Sequence, residues 1–184
     1  ITIWYRPPEL LLGARHYGTE IDTWSSGCIL YEMITRNVLF RSNFDNELDE
    51  IAAIFRVHGI PTVEEWPNWR SLPNAELFMQ NKSLIENSSK TTFKEFLQRT
   101  IPKAFEDSID LLLKLLEYDP TKRISISEAL KHPFISKDFQ NFLPSELPEI
   151  DLPSCHQNQI VTKKSKKTNK DISKLRPPKS TPKS

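Results

Sequence analysis

The sequence predicts an all-α body, on three observations. No segment alternates apolar and polar residues as a half-exposed strand would, two segments are apolar at most positions, and two capping boxes mark helix starts. In the first apolar segment, 22–35, Trp24, Cys28, Ile29, Leu30, Tyr31, Met33 and Ile34 cover most of a helical circumference. That predicts a helix buried on nearly all sides, with Asp22 as its N-cap. The segment 45–58 places Leu48, Ile51, Ala52 and Phe55 on one face and stops at Gly59 and Pro61, the pattern of an amphipathic surface helix. Residues 60–89 are rich in Pro, Asn, Trp and Ser without sustained periodicity and read as a long irregular insert.

A short helix is expected over 92–101, where Thr92 and Glu95 stand in capping-box spacing and Phe93, Phe96 and Leu97 supply its apolar face. The second apolar segment, 107–118, carries Ile109, Leu111, Leu112, Leu113, Leu115 and Leu116 and belongs in the core. Ser125 and Glu128 form another capping box, with Ile124 and Ala129 as a weak staple, opening a helix that Pro133 ends. His132 beside Pro133 reads as a packing or capping residue rather than a catalytic one.

Composition bounds the remainder. A chain of 184 residues can bury one real core. Cys28 and Cys155 follow no metal-ligand spacing and make no disulfide framework, which suits a reducing compartment. No apolar run is long enough to cross a membrane. From Lys163 onward nine Lys or Arg face only Asp171, a net of +8, so the residues before them carry −7 of the chain's +1. Such a basic end, without interleaved aromatics, supports only non-specific electrostatic binding. Past residue 136 the prolines predict a segment that wraps or is disordered, and from 163 the scarcity of apolar residues predicts disorder.

Three motifs occur in order: Trp4-Tyr5-Arg6-Pro7-Pro8-Glu9, then Asp22-Thr23-Trp24-Ser25-Ser26-Gly27, then Asp119-Pro120-Thr121-Lys122-Arg123-Ile124 followed by His132-Pro133-Phe134. Together they resemble the C-terminal helical lobe of the bilobal (α+β) eukaryotic protein kinase fold, the first standing where the Ala-Pro-Glu signature closes the activation segment. Trp4-Tyr5-Arg6, with Gly59-Ile60-Pro61-Thr62 and Trp66-Pro67, looks like the cyclin-dependent kinases. Pro7 and Leu10-Leu11-Leu12-Gly13 are similar to their transcription-linked members. The stretch Leu152-Pro153-Ser154-Cys155-His156 resembles the tail of kinases acting on the C-terminal repeat domain of RNA polymerase II, although Gln157 stands where Glu is usual.

The resemblance divides the chain into a partial kinase domain, 1–135, a Pro-rich extension, 136–162, and a basic tail, 163–184. It implies that Glu9 and Arg123 form a buried ion pair, with Asp22 and Trp24 as further structural anchors. Asp22 would accept backbone N–H groups from a catalytic loop. Ile1, Thr2 and Arg6 are implied as substrate-binding residues: Thr2 near the catalytic Asp, Ile1 and Arg6 shaping the pocket for the residue after the phosphoacceptor. Proline fits that pocket because it has no N–H to leave unpaired.

The implied activity is that of a nuclear, proline-directed serine/threonine kinase with a cyclin partner, ATP and Mg2+. The Gly-rich loop, strand lysine, catalytic Asp and Asn, and metal-binding Asp-Phe-Gly that such chemistry needs are not in this sequence. The chain, which opens on Ile1, therefore reads as a fragment that transfers no phosphate and binds no nucleotide alone. The alternative is a non-catalytic product that binds a partner through its insert or nucleic acid through its tail.

Overall fold

Three of the described helices start where a capping side chain accepts one of their first N–H groups. A computed structural model describes residues 3–43, 46–81 and 91–139, all within the unit Ile1–Leu143, and they form helices and turns without a strand. Helix α1 (Pro8–Leu11) opens with Pro8 in its first turn, where a missing N–H costs nothing. Gly13, at φ 86°, turns the chain away.

Helix α2 (Glu20–Thr35) begins two residues earlier than expected. Glu20 Oε1 accepts the Gly18 N–H at 2.7 Å, and the Asp22 N–H already donates to the Thr19 carbonyl at 3.1 Å. Asp22 is thus not the N-cap but an exposed first-turn residue. Nor is α2 buried on nearly all sides. Its buried residues, Thr23, Trp24, Gly27, Cys28 and Tyr31, form one stripe, while Ile29 and Met33 are 48% and 68% exposed. A run of apolar side chains does not reveal which face meets a neighbour.

Helix α3 (Glu47–His58) is capped by Asn46, whose Oδ1 accepts the Asp49 N–H at 2.9 Å. Against the expectation of a surface helix, Glu50 through Phe55 are buried without interruption, and Leu48, assigned to the apolar face, is 40% exposed. Three neighbours supply the reason: α1, the helix over 93–100, and the insert. The insert contains a 3-10 turn (Trp69–Ser71) and helix α4 (Ala75–Gln80), and it sends Trp66, Trp69 and Phe78 into the core. Phe55 meets Trp69 and Phe78 edge-on at 5.8 and 4.7 Å, an arrangement that aromatic quadrupoles favour. Asn74 fastens the insert by donating Nδ2 to the Leu11 carbonyl and its backbone N–H to that of Leu12. The irregular composition of 60–81 therefore encodes packed structure; residues 82–90 lie outside the described residues.

Helix α5 (Phe93–Thr100) carries both halves of its capping box, Glu95 N–H to Thr92 Oγ1 and Thr92 N–H to Glu95 Oε2. Helix α6 (Ser108–Leu115) is core as expected, packed against α2 and α5. The Ser125 and Glu128 capping box opens α7 (Ile126–Ala129). Pro133, expected as a terminator, is the first residue of another helix, α8 (Pro133–Phe139), because its fixed φ suits a helix start as well as a stop. His132 joins the two: its Nδ1 accepts the Phe134 N–H at 3.3 Å and its Nε2 lies 2.8 Å from Asp110 Oδ2. Cys28 is a buried free thiol, pushed well up in pKa by burial; Cys155 and the tail lie outside the described residues.

Two features yield predictions. A Cβ on Gly27 would sit 2.8 Å from Leu116 Cγ and 3.0 Å from Leu115 Cβ, so helix α2 reaches its neighbour only through glycine. Gly27→Ala, normally worth about 1 kcal/mol in a helix, is expected instead to destabilise by roughly 1–2 kcal/mol through overpacking, read from the urea midpoint. The His58 ring stacks on Phe93 at 4.0 Å and against Tyr118 at 4.2 Å, donating Nε2–H to the Leu116 carbonyl. Desolvation lowers its pKa from 6.5 to about 4, despite the opposing pull of that carbonyl. The folded state then holds fewer protons than the unfolded one between these values. Stability present above pH 6.5 is expected to fall as pH drops toward 4, by up to about 3 kcal/mol, and His58→Phe should flatten that slope in thermal melts.

Candidate functional site

The Asp119-Pro120-Thr121-Lys122 turn aims Arg123 inward. Asp119 Oδ1 accepts the N–H and hydroxyl of Thr121, and the Lys122 N–H closes on the Asp119 carbonyl at 3.0 Å. Arg123 then spends its whole fork. Nη1 donates to Glu9 Oε1 at 2.9 Å and to the Glu20 carbonyl at 2.8 Å; Nη2 donates to Glu9 Oε2 at 3.1 Å and the Tyr118 carbonyl at 3.3 Å; Nε donates to the Glu117 carbonyl at 2.9 Å. Its side chain is 0% exposed and that of Glu9 5%. The guanidinium also lies over the Trp24 ring, 5.2 Å from its centroid. Asp22, by contrast, is exposed, and its carboxylate has no hydrogen bond among the described residues.

Between this anchor and Ile3 runs the segment expected to receive substrate. The Arg6 N–H donates to the Ile3 carbonyl at 2.9 Å, making a turn. The Tyr5 hydroxyl donates to Glu32 Oε2 at 2.8 Å, which raises the phenol's pKa, and Ser25 Oγ donates to the Tyr5 carbonyl at 2.9 Å. Both partners stand on α2. Trp4 lies under the Arg41 guanidinium, 5.4 Å away. Arg6 is partly exposed and pairs with Glu47 Oε1 at 3.0 Å. Ile1 and Thr2 lie outside the described residues, so of the three expected substrate residues only Arg6 is placed.

Sequence reasoning missed Glu32, Glu47 and Glu50. Glu32 and Glu47 join the segment from 27 and 41 positions away, a relation that periodicity does not record. Glu50 is fully buried near Ser42, yet neither carboxylate oxygen makes a hydrogen bond of good geometry among the described residues. Burial raises its pKa; the Ser42 groups, Arg56 and Arg6 act in the opposite direction. Among the described residues no three His, Cys, Asp or Glu side chains converge as metal ligands. A cleft of about 380 Å³ between α5, α6 and α8, with Lys94, Asp110, His132 and Lys137 in its walls, shares no residue with the platform.

The protein kinase domain family matches residues 1–135. The chain belongs to the protein kinase family. It is 36% identical over 172 residues to "CTD kinase subunit alpha" of Saccharomyces cerevisiae, covering 92% of this chain and 30% of that protein. It is 40% identical over 169 residues to "Cyclin-dependent kinase 12" of Caenorhabditis elegans, covering 91% and 21%. To "Serine/threonine-protein kinase ppk23" of Schizosaccharomyces pombe it is 48% identical over 134 residues, covering 73% and 31%. The crystal structure of the yeast RNA Pol II CTD kinase CTDK-1 complex superposes with a TM-score of 0.63 at 38% identity, covering 73% of this chain and 42% of that one. The chain thus spans under a third of the length of these curated relatives. It has the protein kinase fold and resembles kinases of the cyclin-dependent and CTD-kinase type.

The Arg123 fork gives this subsection its prediction. Arg123→Met leaves the Glu9 carboxylate buried and unpaired and should cost about 3–5 kcal/mol, measured by urea unfolding. Arg123→Met combined with Glu9→Leu should cost clearly less than the two single losses added; strict additivity would show that the two side chains do not act as a pair.

Proposed function

We propose that this chain is the C-terminal lobe and tail of a proline-directed, cyclin-dependent serine/threonine kinase acting in the nucleus on the C-terminal repeat domain of RNA polymerase II. One observation carries the choice among kinase types. Similarity to the yeast CTD kinase subunit and to Cyclin-dependent kinase 12 extends over 172 and 169 residues, so it must run past residue 135. It therefore includes the extension beyond the kinase domain. The proposed division is a kinase part at 1–135, an extension at 136–162 and a basic tail at 163–184.

In this reading the chain supplies the substrate platform. Ile1 and Arg6 shape the pocket for the residue that follows the phosphoacceptor, and Thr2 steadies the loop that receives the hydroxyl. A proline entering that pocket brings no N–H that would need a partner. Glu9, Arg123 and Trp24 hold the platform on the lobe, and Asp22, exposed on α2, is free to accept N–H groups from a catalytic loop. ATP and Mg2+ supply the phosphoryl group and the charge neutralisation of the reaction. The described residues do not fit a site for either, since no acidic cluster converges and the sequence holds no phosphate-cradling Gly-rich loop. Those groups, like the principal cyclin contact, fall to other residues of the whole kinase.

Purified on its own, with Mg-ATP, a cyclin and a polymerase-repeat peptide, the chain is expected to incorporate no phosphate; magnesium-dependent incorporation would overturn its assignment as a non-catalytic lobe. The full-length kinase containing this segment should phosphorylate Ser-Pro peptides with a kcat/KM at least about ten-fold above matched Ser-Ala peptides, by the cost of one unpaired buried N–H. Equal values would remove the proline-directed reading.

A further inference from the structure

Arg6 presents a problem of orientation. Its backbone is fixed by the turn onto Ile3, but a guanidinium on a long flexible stem needs a second holding point before it can define a pocket. Among the described residues the only charged side chain that touches it is Glu47, with Nη1 and Oε1 3.0 Å apart. We infer that Glu47 is a positioning residue for the substrate platform, orienting Arg6 and thereby setting the selectivity for proline after the phosphoacceptor. This inference rests on the proline-directed reading proposed above.

Three features support it. Glu47 is the first residue of α3, and the Asn46 cap fixes where that helix begins, so the carboxylate stands at the positive end of the helix dipole. Helices α1 and α3 pack together, and Arg6, in the turn just before α1, is tied to the first residue of α3 across 41 residues of sequence. Only Nη1 is engaged. Nε and Nη2 have no partner among the described residues and remain available as donors, which a fork held at one corner can direct.

Charge acts in the same direction. Glu50, one turn further along α3, is buried, and the Arg6 charge favours its ionised form against the dominant effect of burial. An acidic side chain following the phosphoacceptor would have to displace Glu47 from Arg6; a neutral proline would not.

The pair is 36% and 50% exposed, so its effect is expected to be modest. In the full-length kinase, Glu47→Gln should lower the ratio of kcat/KM for Ser-Pro over Ser-Ala peptides by about three-fold, the range of a half-exposed ion pair. Ser-Pro should lose more than Ser-Ala, and Ser-Glu should gain relative to both. Glu47→Asp should keep the ratio above that of Glu47→Gln, because the charge persists. Equal losses on all peptides would mark a merely structural residue and overturn the inference, as would an unchanged ratio in a kinase that does prefer proline. If the unsubstituted kinase shows no proline preference, the proline-directed reading itself fails, and the inference with it.

Discussion

The Arg123 guanidinium is the point at which the separate parts of this structure are made one. It gathers the carboxylate of Glu9 from α1, the Glu20 carbonyl at the start of α2, and the Glu117 and Tyr118 carbonyls that follow α6, while its face covers Trp24. A buried charge pair of this kind is not stabilising merely by being ionic, since desolvation opposes the attraction. What tips the balance is completeness: five N–H donors have five acceptors, and both carboxylate oxygens are used. The same completeness makes the site intolerant. A lysine would keep the charge but reach one or two of the five acceptors.

From that anchor outward the order declines in a way that serves a binding surface. Trp24 extends the fixed region into an aromatic core, stacking on Phe40 and meeting Tyr118. Gly27 lets α2 and the end of α6 approach closely. On its other side α2 presents Ser25 and Glu32, which bind the backbone and the hydroxyl of Tyr5. Tyr5 is therefore attached to a helix whose other face is packed in the core. In the proposed reading a substrate contact made there would meet a surface whose position is set by packing rather than by loop conformation.

How much of this was legible from residues depends on the range of the interaction. Both capping boxes, Thr92 with Glu95 and Ser125 with Glu128, are local events, and their helices start where the spacing places them. Helix α6 is so rich in leucine that no exposed arrangement is available to it. The misreadings arose where burial is decided at a distance. Leu48 and Ile51 look alike in a helical projection, yet Ile51 is buried and Leu48 is 40% exposed, according to which neighbours pack on α3. Residues 60–81 carry no period because their tryptophans and Phe78 enter the core from turns and a short helix, where no periodicity is imposed. Asp22 looks like a cap because N-cap chemistry and first-turn chemistry favour the same carboxylate. Glu47 gave no sign at all: on an isolated helix it is an ordinary acidic residue of the first turn, and only the fold brings it to Arg6.

The two arginines of the platform show how one side chain serves opposite ends in two environments. Arg123, with every donor occupied and no exposure, holds shape; a perturbation there propagates to α1, α2 and the end of α6 together. Arg6, partly exposed and held at one nitrogen, keeps donors in reserve. An ion pair open to water contributes little to stability, and that suits the selectivity role proposed for Arg6. Its strength is comparable to the differences between competing substrates, so it can bias a choice among them without fixing the protein in one state. A fully satisfied arginine in that place would have nothing left to offer a substrate, and a fully exposed one would have no defined direction in which to offer it.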